Sequence, residues 1–190
     1  MKYNQTNMKK TEKYLKEAMD GEHNAIRKYS KYADVAEDEG LPNIAYLFRA
    51  LIEGEKIHLK NHRNALGQEY TPKDEEFKIG STLDNLKEAM GGETYEYDEM
   101  YPGFMDAIEK ELKSEYAQVA ELSFKWAKDV ELTHAEILEQ AKKSLEKGND
   151  FTSEQLWVCK VCGNLVIGGK PAEICPVCKH DAQFYKEVAR

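Results

Sequence analysis

Two segments of this chain repeat a pattern suited to holding metal, Glu55-Lys56-Ile57-His58 and Glu131-Leu132-Thr133-His134. Residues three apart on a helix project from one face, so each Glu-x-x-His pair can approach a cation from one side. Glu22, Glu93 and Glu96 also fall on the apolar stripes of their segments. A carboxylate in such a position is costly unless it is paired or coordinates a cation. In a chain with 25 Glu, one Glu-x-x-His arises easily by chance. Two of them on apolar faces, each with a partner Glu in register, call for a chemical reason. A di-iron carboxylate site in a helix bundle needs a Glu from each of two helices and a Glu-x-x-His from each of the other two. Glu22 and Glu96 fill the first role here; Glu55/His58 and Glu131/His134 fill the second.

A separate constellation lies near the C-terminus. Cys159-Lys160-Val161-Cys162 and Cys175-Pro176-Val177-Cys178 form paired knuckles spaced C-x2-C-x12-C-x2-C. Four thiolates complete a tetrahedron that suits iron or zinc, and the spacing alone does not choose between them. All four cysteines lie in the last 32 residues, leaving none to cross-link the larger part. That distribution argues against a disulfide-stapled secreted fold.

Four helices must position the carboxylates. Over 11–39, Leu15, Met19, Glu22, Ile26 and Tyr29 recur at spacings of three and four, and the run stops at Gly40-Leu41-Pro42. Gly past one helix end and Pro just inside the next mark a tight turn. A second helix is expected over 42–66, with Ile44, Phe48, Leu51, Glu55, His58 and His62 on one face. Residues 67–80 read as a loop. Ser81-Thr82-Leu83-Asp84 resembles a capping box opening a third helix to about 112, bent at Pro102. The fourth covers about 115–147, with its start near Lys113-Ser114 and its end at Gly148-Asn149.

Register supports this arrangement. Facing ligands on antiparallel neighbours should flank their turn evenly. The midpoint of Glu22 and Glu55 is 38.5, beside Gly40, and that of Glu96 and Glu131 is 113.5. Glu22, Glu55 and His58 map onto Glu96, Glu131 and His134 with offsets of 74, 76 and 76, as two like hairpins would. The 67–80 loop, extended, could span roughly 45–50 Å. That is enough to run the length of a helix and begin the third parallel to the second, the long crossover of ferritin-like bundles. The expected fold is therefore an all-α ferritin-like four-helix bundle, residues 1–148, followed by a small β/knuckle metal domain, 149–190, which the family resemblance given below makes rubredoxin-like. Forty-odd residues are too few for a self-sufficient core and need a metal or disulfides.

Charge narrows the function classes. Residues 1–150 carry 22 basic and 31 acidic side chains, net −9, while 151–190 carry 5 and 4, net +1. An acidic bundle repels phosphate backbones, so nucleic acid is not an expected partner. No run of 18 apolar residues would cross a membrane. The opening Met1-Lys2-Tyr3-Asn4-Gln5 lacks the apolar core of a signal peptide, and a cytoplasmic protein is expected.

In combination these motifs resemble the rubrerythrins over nearly the whole chain. The matching segments are Ala18-Met19-Asp20-Gly21-Glu22, Phe48-Arg49-Ala50 leading into Glu55-x-x-His58, and Asn85-Leu86. They continue with Gly92-Glu93-Thr94-Tyr95-Glu96, Met100-Tyr101-Pro102, Glu131-x-x-His134 and the two cysteine knuckles. Asn164 departs from the pattern, standing where the family often has Tyr, and the turn near 113 lacks a Gly. The resemblance implies a cytoplasmic peroxide reductase of anaerobic or microaerophilic cells, turning hydrogen peroxide into water in oxidative-stress defence. It implies that Glu55 and Glu131 bridge two non-haem irons, with Glu93 and His134 on one and Glu22 and Glu96 on the other. On reduction the second iron would exchange Glu96 for His58. Glu96 could also shuttle a proton, and Tyr29 and Tyr101 match tyrosines lying just outside the ligands. A third iron would sit between Cys159, Cys162, Cys175 and Cys178, with zinc as its substitute on recombinant expression, and would re-reduce the bundle.

Electrons would come from a separate reductase or a rubredoxin, as in an NADH peroxidase system. Iron storage or ferroxidase chemistry, and a zinc-ribbon binding module, are the rival functions. The fourth helix carries the chain roughly 24 Å past Glu131. A head-to-tail homodimer, in which one chain's cysteine site serves the other's bundle, is therefore expected.

Overall fold

The structure, a computed structural model, describes residues 9–152 and 155–190. The reading of residues 1–5 lies outside them. Helix α1 spans Lys9–Asp38 and α2 Pro42–Leu66. Their turn is built as its residues require: Gly40 takes φ 75°, Leu41 N–H bonds to the Ala36 carbonyl at 2.8 Å, and Pro42 opens α2. Residues 67–80 then run without regular structure. Asp20 on α1 pins this crossover by accepting the Tyr70 hydroxyl and the Lys73 N–H, both at 2.9 Å.

Helix α3, Thr82–Tyr95, is capped at Ser81, whose hydroxyl oxygen accepts the Asp84 N–H at 3.2 Å. Only half of a capping box forms: the Asp84 carboxylate takes the Ser81 hydroxyl at 2.7 Å. The third bundle helix departs from expectation in its middle. A π-helical segment, Glu96–Met100, separates α3 from α4, Tyr101–Ile108, and a short 3₁₀ turn, Glu109–Glu111, follows. The irregularity therefore precedes Pro102. Tyr101 N–H reaches back five residues to the Glu96 carbonyl. This wider turn breaks the regular ladder before the proline, which has no N–H to continue it and whose ring would crowd the preceding turn. Helix α5, Glu115–Leu145, begins at Ser114, whose oxygen accepts the Ala117 N–H at 3.2 Å.

The tail forms a three-stranded antiparallel sheet in the order β2-β1-β3, from β1 Leu156–Cys159, β2 Leu165–Ile167 and β3 Tyr185–Glu187. It does not stand away from the helices. Beyond Gly148, at φ 80°, the Asp150 carboxylate accepts the Asn43 and Ile44 N–H groups at 2.8 and 3.1 Å. Those are orphan donors at the start of α2, where Leu41 supplies no side-chain cap. Phe151, Leu156, Val158, Leu165 and Val188 join Tyr46, Phe48 and Leu51 in one apolar cluster. The Tyr46 hydroxyl bonds to the Val188 carbonyl at 2.8 Å and accepts the Leu156 N–H at 3.2 Å. The tail thus folds back along α2 of its own chain. This corrects the inference that the end of α5 carries the cysteine site away from its own bundle. The reversal rests on Asp150 and Phe151, which carry no periodic signal in sequence.

Candidate metal centres

Six of the seven proposed bundle ligands converge in the interior. Glu22, Glu55, His58, Glu93, Glu131 and His134 are all buried. Glu22, Glu55, His58 and Glu131 each offer a ligand atom, all within 4.8 Å of one another; Glu55, Glu93, Glu131 and His134 form a second such group. Glu55 and Glu131 belong to both, one from α2 and one from α5, as carboxylates that bridge two cations must. His58 Nδ1 lies 2.8 Å from a carboxylate oxygen of each of Glu55 and Glu131. His134 Nδ1 lies 2.9 Å from Glu131 and 3.2 Å from Glu55.

The donor set fits metal on a further ground. Both oxygens of Glu55 and of Glu131, Glu22 Oε2, His58 Nδ1 and both ring nitrogens of His134 are buried without a hydrogen-bond partner. Orphaned polar atoms are rare in protein interiors, and these point at one another. Without cations the cluster takes up protons instead. Burial, then the Glu131 charge, push the Glu55 carboxyl up; burial, then Glu55, push Glu93 up. Burial alone would lower His58 and His134. Glu131 and Glu22 nonetheless hold His58 well above the usual imidazole range, and Glu55 with Glu131 does the same for His134.

Glu96 stands apart. It opens the π-helical segment, is half-buried, and belongs to neither ligand group. Its carboxylate points toward Gly21, next to Glu22, with an oxygen 3.9 Å from where a Cβ on Gly21 would lie. Burial and the charges of Glu22, Glu131, Glu93 and Glu55 push its carboxyl well up.

Each of the two tyrosines contacts a candidate ligand. Tyr29 donates to Glu93 Oε1 at 2.5 Å, and Tyr101 donates to Glu22 Oε1. Burial first, then the facing carboxylates, raise both hydroxyls well above the usual tyrosine range, so they remain donors. His62 is a residue to which sequence reasoning gave no role beyond a place on the α2 face. It is fully buried, with Nε2 3.0 Å from the Tyr101 hydroxyl and Nδ1 2.7 Å from Ser123 Oγ. The Glu22 carboxylate can only accept, and this fixes the polarity of the row as far as His62. Tyr101 donates to Glu22 and accepts from His62 Nε2–H, while His62 Nδ1 and the Ser123 hydroxyl are hydrogen-bonded to each other. The available signal was a third histidine one turn beyond His58 on the ligand face.

The cysteines form the second centre. All four are free thiols; Cys159 and Cys178 sulfurs lie 3.7 Å apart, and those of Cys162 and Cys175 lie 3.6 Å apart. A tetrahedron with metal–sulfur bonds of about 2.3 Å has edges near 3.8 Å, so the set is already of the right size. This centre abuts the first. His58 Nε2 donates to the Cys162 carbonyl at 3.0 Å, and Asn61 Nδ2 donates to the Val161 carbonyl at 2.8 Å. Two glycines permit the approach. A Cβ on Gly163, at φ 89°, would lie 2.6 Å from His58 Nε2, and one on Gly54 would lie 2.9 Å from the His134 ring.

A ferritin-like bundle with a paired carboxylate–histidine centre, joined to a tetrathiolate tail, defines a class of non-haem iron protein. Comparison with known proteins narrows it. The family model described as Rubrerythrin matches residues 13–142, and the one described as Rubrerythrin, rubredoxin-like domain, matches 157–186. A putative rubrerythrin of Methanocaldococcus jannaschii is 34% identical, over 95% of this chain and 93% of its own. A rubrerythrin of Porphyromonas gingivalis is also 34% identical, over 94% and 90%. Among solved structures, mixed-valence nigerythrin superposes with a TM-score of 0.82 at 27% identity, covering 98% of this chain and 90% of that one. Fully reduced, all-ferrous nigerythrin gives the same TM-score at 26% identity. The chain belongs to the rubrerythrin family, and it carries that family's two kinds of site: a candidate di-iron centre and a four-cysteine, rubredoxin-like centre.

Proposed function

We propose that this chain is a peroxide reductase, converting hydrogen peroxide to water at the bundle centre with electrons returned through the cysteine site. The observation that carries the reading is the contact at Cys162. One residue supplies a sulfur ligand to the tail centre and a carbonyl that binds His58 of the bundle centre. A single residue and one hydrogen bond therefore connect the two. Storage or mineralisation of iron would leave this junction without a purpose, and so would a structural zinc ribbon.

Glu55 and Glu131 would bridge the bundle pair, with Glu93 and His134 completing one position and Glu22 the other. His58 Nδ1 lies 3.6 Å from Glu22 Oε1 and Glu96 lies outside both ligand groups; the resemblance makes His58 and Glu96 the pair that would exchange on reduction. When bound, iron would supply two electrons at the bundle pair and one-electron transport at the cysteines. The protein's own groups hold the protons. Reduction of a peroxide to two waters consumes two, yet the ligands are buried. Tyr101, aligned by His62, holds a proton against Glu22, and the resemblance gives Glu96 the role of proton shuttle. The division into a bundle, 1–148, and a tail, 149–190, the cytoplasmic setting and a separate reductase or rubredoxin as electron source belong to the same proposal. Among the described residues no helix is long and apolar enough to cross a membrane.

Cys178→Ser tests the reading. The chemically reduced variant should consume peroxide in a single turnover, while steady-state turnover with an NADH-dependent reductase should stop. Unimpaired steady-state turnover would exclude the tail as the conduit. A wild-type protein that is colourless and zinc-loaded after growth in ample iron would exclude the electron-carrier function altogether.

A further inference from the structure

Asn164, the position at which the chain departs from the family resemblance, sits in the wall between the two centres. It is 2% exposed, at the base of the first cysteine knuckle, where its carbonyl accepts the Cys159 N–H at 2.9 Å. Its side chain makes three contacts. Oδ1 accepts the Thr133 hydroxyl at 3.3 Å; Nδ2 donates to the Tyr185 hydroxyl oxygen at 2.9 Å and to the Leu165 carbonyl at 3.4 Å. The Leu165 carbonyl has no proton to give, so the amide nitrogen must face it. That fixes the amide, and the Tyr185 oxygen beside it becomes an acceptor. The tyrosine's own proton is thereby directed the other way, to Cys175 Sγ at 3.3 Å.

We propose that Asn164 is a positioning residue that aims the Tyr185 hydroxyl at the Cys175 sulfur, and that this bond raises the reduction potential of the cysteine-bound iron. The inference rests on the reading of the tail as a one-electron carrier. Four thiolates around ferric iron carry a net charge of −1, and around ferrous iron −2. A hydrogen bond to sulfur stabilises the more negative, reduced form more, so it favours reduction. The step is the gain of one electron from the reductase or rubredoxin-type donor. The tyrosine proton stays on its oxygen and no other bond changes. Thr133 lies between Glu131 and His134 on α5, so the orientation of the amide is held by the same turn that presents two bundle ligands.

The test is a spectroelectrochemical titration of the visible thiolate-to-iron band in the full-length, iron-loaded protein. Tyr185→Phe keeps the ring in its packing and removes only the donor. It should lower the ferrous-to-ferric ratio at a given solution potential by roughly tenfold, a shift of about 59 mV for one electron. Asn164→Ala should shift it in the same direction, and in the Tyr185→Phe background it should add nothing, because the amide acts through the hydroxyl. If Asn164→Ala fails to hold iron, Thr133→Val takes its place, with the same loss of effect expected in the Phe background. An unchanged potential in Tyr185→Phe, or a shift from Asn164 or Thr133 that persists there, overturns the proposal while leaving the carrier reading intact. Absence of a reversible one-electron response in the wild type removes the carrier reading, and this inference with it.

Discussion

His58 Nε2 and the Cys162 carbonyl are hydrogen-bonded within one chain, 3.0 Å apart. His58 Nδ1 faces Glu55 and Glu131, so the two nitrogens of one imidazole touch the two centres. If this contact is the conduit, mixing two inactive variants, Cys178→Ser and Glu131→Ala, should not restore turnover, because neither chain has both sites. The mixture is assayed as peroxide-dependent NADH oxidation, with any mixed oligomers verified by mass. Recovered activity would show that the tail serves another chain's bundle, as the sequence suggested.

Gly163→Ala should separate the centres without removing a ligand. A Cβ there would meet His58 Nε2 at 2.6 Å, and φ 89° is unfavourable for alanine. The backbone strain alone costs about 1–3 kcal/mol. The melting temperature should fall by several degrees, steady-state turnover should drop at least tenfold, and both centres should keep their iron. Normal turnover with a normal melting temperature would show that the knuckle does not need this close approach.

Glu131→Ala should empty the bundle centre alone. Glu131 belongs to both ligand groups and touches both histidines. Iron content should fall from about three per chain to about one, with the visible tetrathiolate band unchanged. His134→Ala should lose more iron than His58→Ala in the oxidised protein, if His58 becomes a ligand only on reduction, as the family resemblance implies. Equal loss from the two histidine variants when oxidised would remove the exchange of Glu96 for His58.

The pH dependence of stability should differ between metal-free and loaded chains. In the metal-free chain His58 and His134 titrate above their unfolded value of 6.5, held up by facing carboxylates against the opposing effect of burial. Their contribution to stability is complete below pH 6.5 and is lost as pH rises through the folded values. Glu22, held low by His58 and His62 despite burial, acts oppositely, but only below its unfolded value of 4.5. The metal-free melting temperature should therefore fall between pH 6 and pH 9, by about 2–4 °C for each kcal/mol lost. The iron-loaded protein should not follow, because its ligands are already deprotonated. Parallel curves for the two forms would mean that the histidines are not proton-loaded in the empty site.

Sequence disclosed most of the bundle, because burial imposes a period that can be counted. Glu22, Glu55 and Glu131 were conspicuous as charges on apolar stripes, and Gly40-Leu41-Pro42 encodes its turn in backbone preferences. The cysteine knuckles were equally plain. What stayed hidden depends on contacts between elements distant in sequence. Asp150 is an ordinary loop residue until the N-terminus of α2 lies beside it, and only then does it turn the tail back. The π-helical segment at Glu96–Met100 has no residue signature of its own; Pro102 marked the neighbourhood but not the place. The partnership of His62 with Ser123 spans 61 residues, and no local pattern announces it.

The folding-back of the tail has a kinetic corollary. A centre re-reduced by its own chain sees its electron carrier at a fixed effective concentration, set by the fold and independent of how much protein is present. The internal transfer step is first order, and its rate per chain should be the same in a dilute solution as in a crowded one. Only the encounter with the external reductase would respond to dilution.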